Sequence, residues 1–186
     1  MFAEYVVFAT KTKTTPVIIP PWDKLGKDRW VTKSVDIREV IAAGDIRWGS
    51  RDNPDVACSG EGAFLRSSRS TKATIRSSRG DVDAALFRQM LSHPITYVVL
   101  NLAGIGERPI LISSEEDPEQ VITKFQEHMA RDVVSAGHVE FDLEHGHTPV
   151  CSGSVQLGSW VKPYTVESRG QEDAELIQEF FVESLL

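Results

Sequence analysis

Apolar positions along this chain follow three patterns: short unbroken runs, strict alternation, and stripes at helical spacing. Pro94 to Leu102, Pro-Ile-Thr-Tyr-Val-Val-Leu-Asn-Leu, is the longest nearly continuous apolar run. It is rich in β-branched and aromatic residues and too short for a helix of three turns. That predicts a strand buried on both faces, the centre of the fold. Phe2 to Thr10 reads as a second strand on the same composition. Val17-Ile18-Ile19 is apolar but runs into Pro20-Pro21, which predicts a short edge strand. Trp30 to Thr32 reads as another short strand. Ala63 to Ser78 reads as two short strands joined near Ser70-Thr71.

Helical stripes predict four helices. Ser34 to Gly44 has Ser34 or Asp36 as cap, Ile37, Val40 and Ile41 on one face, and Gly44 as stop. Asp81 to Ser92 carries Val82, Ala85, Leu86, Met90 and Leu91. Asp117 to Ala136 has Pro118 in its first turn and a stripe of Val121, Ile122, Phe125, Met129, Val133 and Val134. Ala174 to Leu185 is a final amphipathic helix, preceded by a polar linker from Glu167 to Asp173. Ile46 to Gly62 carries turn signals and reads as a long loop. His138 to Glu144 alternates cleanly and predicts a half-buried strand, with Pro149 to Cys151 and Ser154 to Val161 returning as strands. Gly104-Ile105-Gly106 sits between two apolar runs, Pro94 to Leu102 and Pro109 to Ile112, and reads as a hairpin turn rather than a dinucleotide loop.

Hairpins with interspersed helices predict an α+β fold. Its mostly antiparallel sheet is built from hairpins, with three or four helices packed mainly on one face, in a single domain over 1–186. No repeat of fold-defining period stands out. Arg-Ser-Ser-Arg recurs at 66–69 and 76–79, and Cys-Ser-Gly at 58–60 and 151–153; echoes this short are read as chance.

Composition adds little to that picture: 41% hydrophobic and 25% charged residues are ordinary for a globular protein of 186 residues. Two cysteines and an N-terminus without a basic lead predict a cytoplasmic protein with free thiols and no membrane span. Charge changes the picture more. Residues 1–106 hold 15 Lys/Arg against 11 Asp/Glu, net +4, while residues 107–186 hold 5 against 16, net −11. An acidic second half points toward association with another protein.

Candidate chemistry is sparse. His138, Glu140 and Asp142 alternate along one strand face, and His145 and His147 follow across Gly146; imidazoles and carboxylates so placed suit a divalent metal and a metal-dependent hydrolase. No other cofactor is predicted. Cys58 in the long loop is a candidate nucleophile, with His93, His138, His145 or His147 as its base. Arg66, Arg69, Lys72, Arg76 and Arg79, interleaved with hydroxyls, suit phosphate oxygens, so an anion or nucleic acid is a less favoured partner than protein. Ile177, Phe180 and Phe181 partly resemble the peptide by which proteins dock on sliding clamps, with Ala174 where that peptide has Gln. The expected function is that of a small interaction protein, immunity-like, inhibitor or adaptor, acting by surface complementarity.

Overall fold

The computed structural model describes residues 2–20, 33–50, 53–65, 73–102, 106–125, 132–142, 149–158 and 162–182. One eight-stranded antiparallel sheet organises them, in the order β11-β10-β8-β9-β2-β1-β4-β5. Its strands are β1 (Phe2–Ala9), β2 (Thr14–Ile19), β4 (Val40–Ser50), β5 (Asn53–Ser59), β8 (Ile95–Leu102), β9 (Gly106–Ser113), β10 (Val133–Glu140) and β11 (Val150–Ser152). Two small sheets accompany it. One joins β3 (Lys33–Ser34), β6 (Glu61–Leu65) and β7 (Ala73–Ser77); the other pairs β12 (Ser154–Leu157) with β13 (Tyr164–Glu167).

Both faces of the large sheet are buried. Ala3, Tyr5 and Val7 of β1 and Ile95, Tyr97 and Val99 of β8 face α1 (Asp81–Leu91) and α3 (Gln171–Phe181). Val6, Phe8, Val98 and Leu100 face the other way, toward Ile37, Phe64, Val121, Ile122, Phe125, Val155 and Leu157. A strand with core on both sides needs apolar residues at successive positions, which explains the unbroken run in β8. It also places β2 between β1 and β9 rather than at an edge, because Pro20 lies beyond its last pair and Pro16 is accommodated within it.

The expected α+β arrangement, with three or four helices mainly on one face, is therefore corrected. Sheet dominates; α1 and α3 cover one face, while α2 (Pro118–Ile122) and a 3-10 turn at Ile37–Glu39 lie on the other. Two predicted helices are helical only in part. Of 34–44, only Ile37–Glu39 is helical, and Val40 onward is β4. Of 117–136, the described helix stops at Ile122, and Val133 to Ala136 open β10. Val40, Ile41, Val133 and Val134 mimic a helical stripe, but β-branched pairs favour the pleated strand once a neighbouring strand is there to receive them. The predicted loop at 46–62 is instead the end of β4, all of β5 and the start of β6. Adjacent hairpins (β1–β2, β4–β5, β6–β7, β8–β9, β10–β11 and β12–β13) alternate with antiparallel pairs between more distant strands (β1–β4, β8–β10 and β2–β9), and β3 meets β6 in parallel. The expected strand at Trp30–Thr32 lies outside the described residues. No helix among those described is long and apolar enough to cross a membrane.

The sheet order reads the same from either end, and the register explains why. Tyr5 of β1 stands opposite Ile18 and Gly44, as Tyr97 of β8 stands opposite Leu111 and Gly137. Asp45 pairs with Ser59 as His138 pairs with Ser152. The chain is thus two copies of one unit, β1 to α1 and β8 to α3, joined edge to edge where β2 meets β9. There Ile18 lies opposite Leu111, its own equivalent, so a two-fold axis passes through that pair. Lys13–Glu116 at 2.9 Å, Lys124–Glu39, and the edge-on rings of Phe8 and Phe125 at 5.8 Å also cross between the halves. Among the described residues, the halves differ in their inserts between the second and third sheet strands: β3 and the 3-10 turn in the first, α2 in the second.

Candidate functional site

Each half carries the same buried polar cluster under the start of its long helix. In the first, Ser78-Arg79-Gly80 leads into α1, and Gly80 holds φ +55° and ψ −117°, a conformation open to glycine and strained for other residues. Asp83, on the first helical turn, is fully buried. It accepts from the Arg79 backbone N–H at 2.7 Å and from Arg79 Nε at 2.8 Å. The Tyr5 hydroxyl lies 2.6 Å from Asp83 Oδ2 and 2.6 Å from Ser78 Oγ. A phenol has one proton, and the carboxylate can only accept. Tyr5 therefore donates to Asp83 and receives from Ser78, whose oxygen in turn accepts from the Gly80 N–H at 3.0 Å.

The second half repeats this bond for bond. Tyr97 Oη is 2.6 Å from Asp173 Oδ2 and 2.6 Å from Ser168 Oγ, and Ser168 Oγ accepts from the Gly170 N–H. Arg169 gives Asp173 its backbone N–H at 2.9 Å and its Nε at 2.8 Å, and Gly170 has φ +59°. Two additions strengthen this copy. Ser135 donates to Asp173 at 2.8 Å, where the first half has Ala42. Arg169 also reaches Glu107 at 2.9 Å and Glu172 at 3.2 Å.

A glycine on the third sheet strand lets each cluster close. A Cβ at Gly44 would sit 2.4 Å from the Ser59 carbonyl and 3.2 Å from Ser78 Cβ; at Gly137 it would sit 2.6 Å from the Ser152 carbonyl and 3.0 Å from Ser168 Cβ. Cys58 and Cys151 complete the equivalence, each a free thiol beside its tyrosine.

Electrostatics define what these clusters do. Burial, then the charge of Asp83, pushes the Cys58 thiol up to about 12. Burial and Asp173 push Cys151 up to about 12. Both tyrosines are driven upward by burial and by the carboxylate that accepts their proton. Burial alone would raise Asp173, but the bonds from Tyr97, Arg169 and Ser135 outweigh it and hold the carboxyl below its ordinary range. At neutral pH the thiols and phenols keep their protons and each carboxylate is saturated with donors. Such a set fastens helix to sheet; it offers neither thiolate nor free base.

The residues singled out from sequence fall elsewhere. His138, Glu140 and Asp142 are exposed along and just past β10, with His138 Nδ1 3.5 Å from Thr96 Oγ1. His145 and His147 lie outside the described residues, and no group of three or more metal-ligating side chains forms among those described. Arg66, Arg69 and Lys72 also lie outside them. Arg76 donates to the Val40 carbonyl at 3.0 Å, and Arg79, although partly exposed, is paired with Asp83, so both spend donors on the protein itself. Ile177, Phe180 and Phe181 form the buried side of α3, which leaves a partner little of them to touch. Cys58 is in β5, an edge strand, rather than in a loop.

The twin clusters escaped the sequence reading, although a signal was present. Ser-Arg-Gly-x-x-Asp-Ala occupies 78–84 and again 168–174, and Cys-Ser-Gly occupies 58–60 and 151–153. Two echoes at nearly one offset mark a duplication where either alone does not. The Arg-Ser-Ser-Arg echo lies wholly within one unit and is unrelated to it. Comparison with protein-family models, curated proteins and solved structures finds no match to this chain.

Proposed function

We propose that this is a small cytoplasmic protein-interaction protein, immunity-like, inhibitor or adaptor, that presents its acidic second half to a basic protein partner. One observation carries the reading: two copies of one fold differ sharply in charge, the described residues of the first half being balanced and those of the second strongly acidic. Residues 94–106 contain no charged side chain, so the sequence divides at the structural boundary, +4 for 1–93 and −11 for 94–186. The shared scaffold requires its tyrosine, aspartate and glycine in both copies, but it tolerates a balanced exterior in one and an acidic exterior in the other. The acidic surface is therefore not a demand of folding. The long helices show this most directly. Their burial patterns coincide residue for residue, yet α3 exposes Glu172, Glu175 and Glu179 where α1 exposes Val82, Ala85 and Gln89. Charge of one sign on a rigid surface steers association and makes it salt-dependent.

Affinity capture from native extract tests this. At low salt the protein should retain one stoichiometric partner, released as ionic strength rises. The triple variant E172V/E175A/E179Q, which borrows the outer residues of α1, should fold normally and capture it less well. Recovery of the unmodified protein alone at low salt would overturn the reading.

A further inference from the structure

We infer that the chain is a two-fold dimer of one unit fused end to end, and that its internal link is interchangeable with the gap between its ends. Ser92, His93 and Pro94, all exposed, carry the chain from the end of α1 to the start of β8. The rotation that places the first half on the second turns this step into the step from the end of α3 to the start of β1. That follows from the register on both sides of the axis, where every large-sheet strand pair of one half has its counterpart in the other. The contacts agree: α3 packs against β1, and Phe181 at its end meets Trp48 of β4 with ring centroids 6.5 Å apart. Three residues cover the first gap between Leu91 and Ile95, so residues 182–186 and 1–2, seven in all, are ample for the gap from Phe181 to Ala3, the residue equivalent to Ile95.

Each polar cluster also closes within its own half. Tyr5, Ser78, Arg79 and Asp83 belong to the first, and Tyr97, Ser135, Ser168, Arg169 and Asp173 to the second, with Glu107. Cutting between halves therefore severs no clasp. What holds the halves together is the β2–β9 seam, the shared cores and the cross-pairs, none of which depends on the order in which the units are translated.

The experiment is a circular permutant that starts at Pro94, passes from Leu186 directly into Met1 and ends at His93. It should unfold in one cooperative transition with a midpoint within about 5 °C of the parent and with the parent's far-ultraviolet spectrum. A companion opened in the β1–β2 turn at Lys11, keeping the native link and using the same Leu186–Met1 join, separates the two halves of the inference. If neither permutant folds, the ends are not close and the inference fails. If only the companion folds, the ends are close but the native link is indispensable, and the equivalence fails. Folding of the first permutant supports it whatever the companion does.

Discussion

Asp83 and Asp173 are buried carboxylates of the kind proteins keep only when their donors are complete. Each accepts from a tyrosine, a backbone N–H and an arginine, and each stands one turn inside a helix whose first turn lacks a side-chain cap at Gly80 or Gly170. Removing the carboxylate leaves a phenol and a guanidinium facing a void. Asp83→Ala should cost about 3 kcal/mol by urea unfolding, toward the low end for broken buried pairs because the Arg79 side chain is 34% exposed. Asp173→Ala should cost a similar amount, because Arg169 keeps Glu107 and Glu172 while the buried Ser135 hydroxyl loses its acceptor.

The same groups set the pH range. Asp173 has a folded pKa below its unfolded one, so its stabilisation is present above the unfolded value of about 4 and is lost as pH falls through the folded value. Cys58, Cys151, Tyr5 and Tyr97 are shifted the other way. Their stabilisation is complete below the unfolded values, about 8.5 for the thiols and about 10 for the phenols, and drains as pH rises toward the folded ones. Urea midpoints should therefore be level near neutrality, decline below about pH 4 and decline again above about pH 8.5. Cys58→Ser together with Cys151→Ser should move the onset of the alkaline decline toward pH 10, where the phenols take over. An unmoved onset would mean the thiols are not the groups titrating first.

At the scale of elements, the glycines of the third strands decide how closely the layers approach. Gly44 would serve as a helix stop in isolation; in the sheet it is the point where the Cys-Ser-Gly turn and the Ser-Arg-Gly turn both press on β4. Alanine there must displace a backbone carbonyl 2.4 Å away rather than the tip of a flexible side chain. Gly44→Ala and Gly137→Ala should each lower stability by about 1–3 kcal/mol, and calorimetry of the pair should show similar losses, because the two sites are equivalent. The edge of β5 is managed by its neighbour: α1 packs along it and Arg88 donates to the Val56 carbonyl at 3.2 Å, which occupies an acceptor another strand would otherwise use.

At the scale of the molecule, duplication separates what folding requires from what the surface adds. Residues shared by both halves are those of the core, the clasps and the close approaches. Residues that differ include the acidic positions of α3, which is why the interaction reading rests on them and the permutant rests on the shared set.

Local sequence was sufficient for some of this. The run in β8, the helix at Asp81 to Leu91 and the mostly antiparallel sheet were legible, because unbroken apolar runs and amphipathic stripes have one good solution each. The segments at 34–44 and 117–136 were not, since spacings such as Ile37, Val40 and Ile41 fit a helix by themselves and a strand only when a partner is at hand. Tyr5 and Asp83 are 78 positions apart, and nothing local marks a tyrosine in a strand as the donor to a distant helix. Local composition was enough for the apolar segments, the charge of each half and a repeat faint enough to pass as chance. That the repeat is a two-fold emerges with the folded sheet, because the equivalence lives in strand register, and register is fixed by pairing across the sheet rather than along the chain.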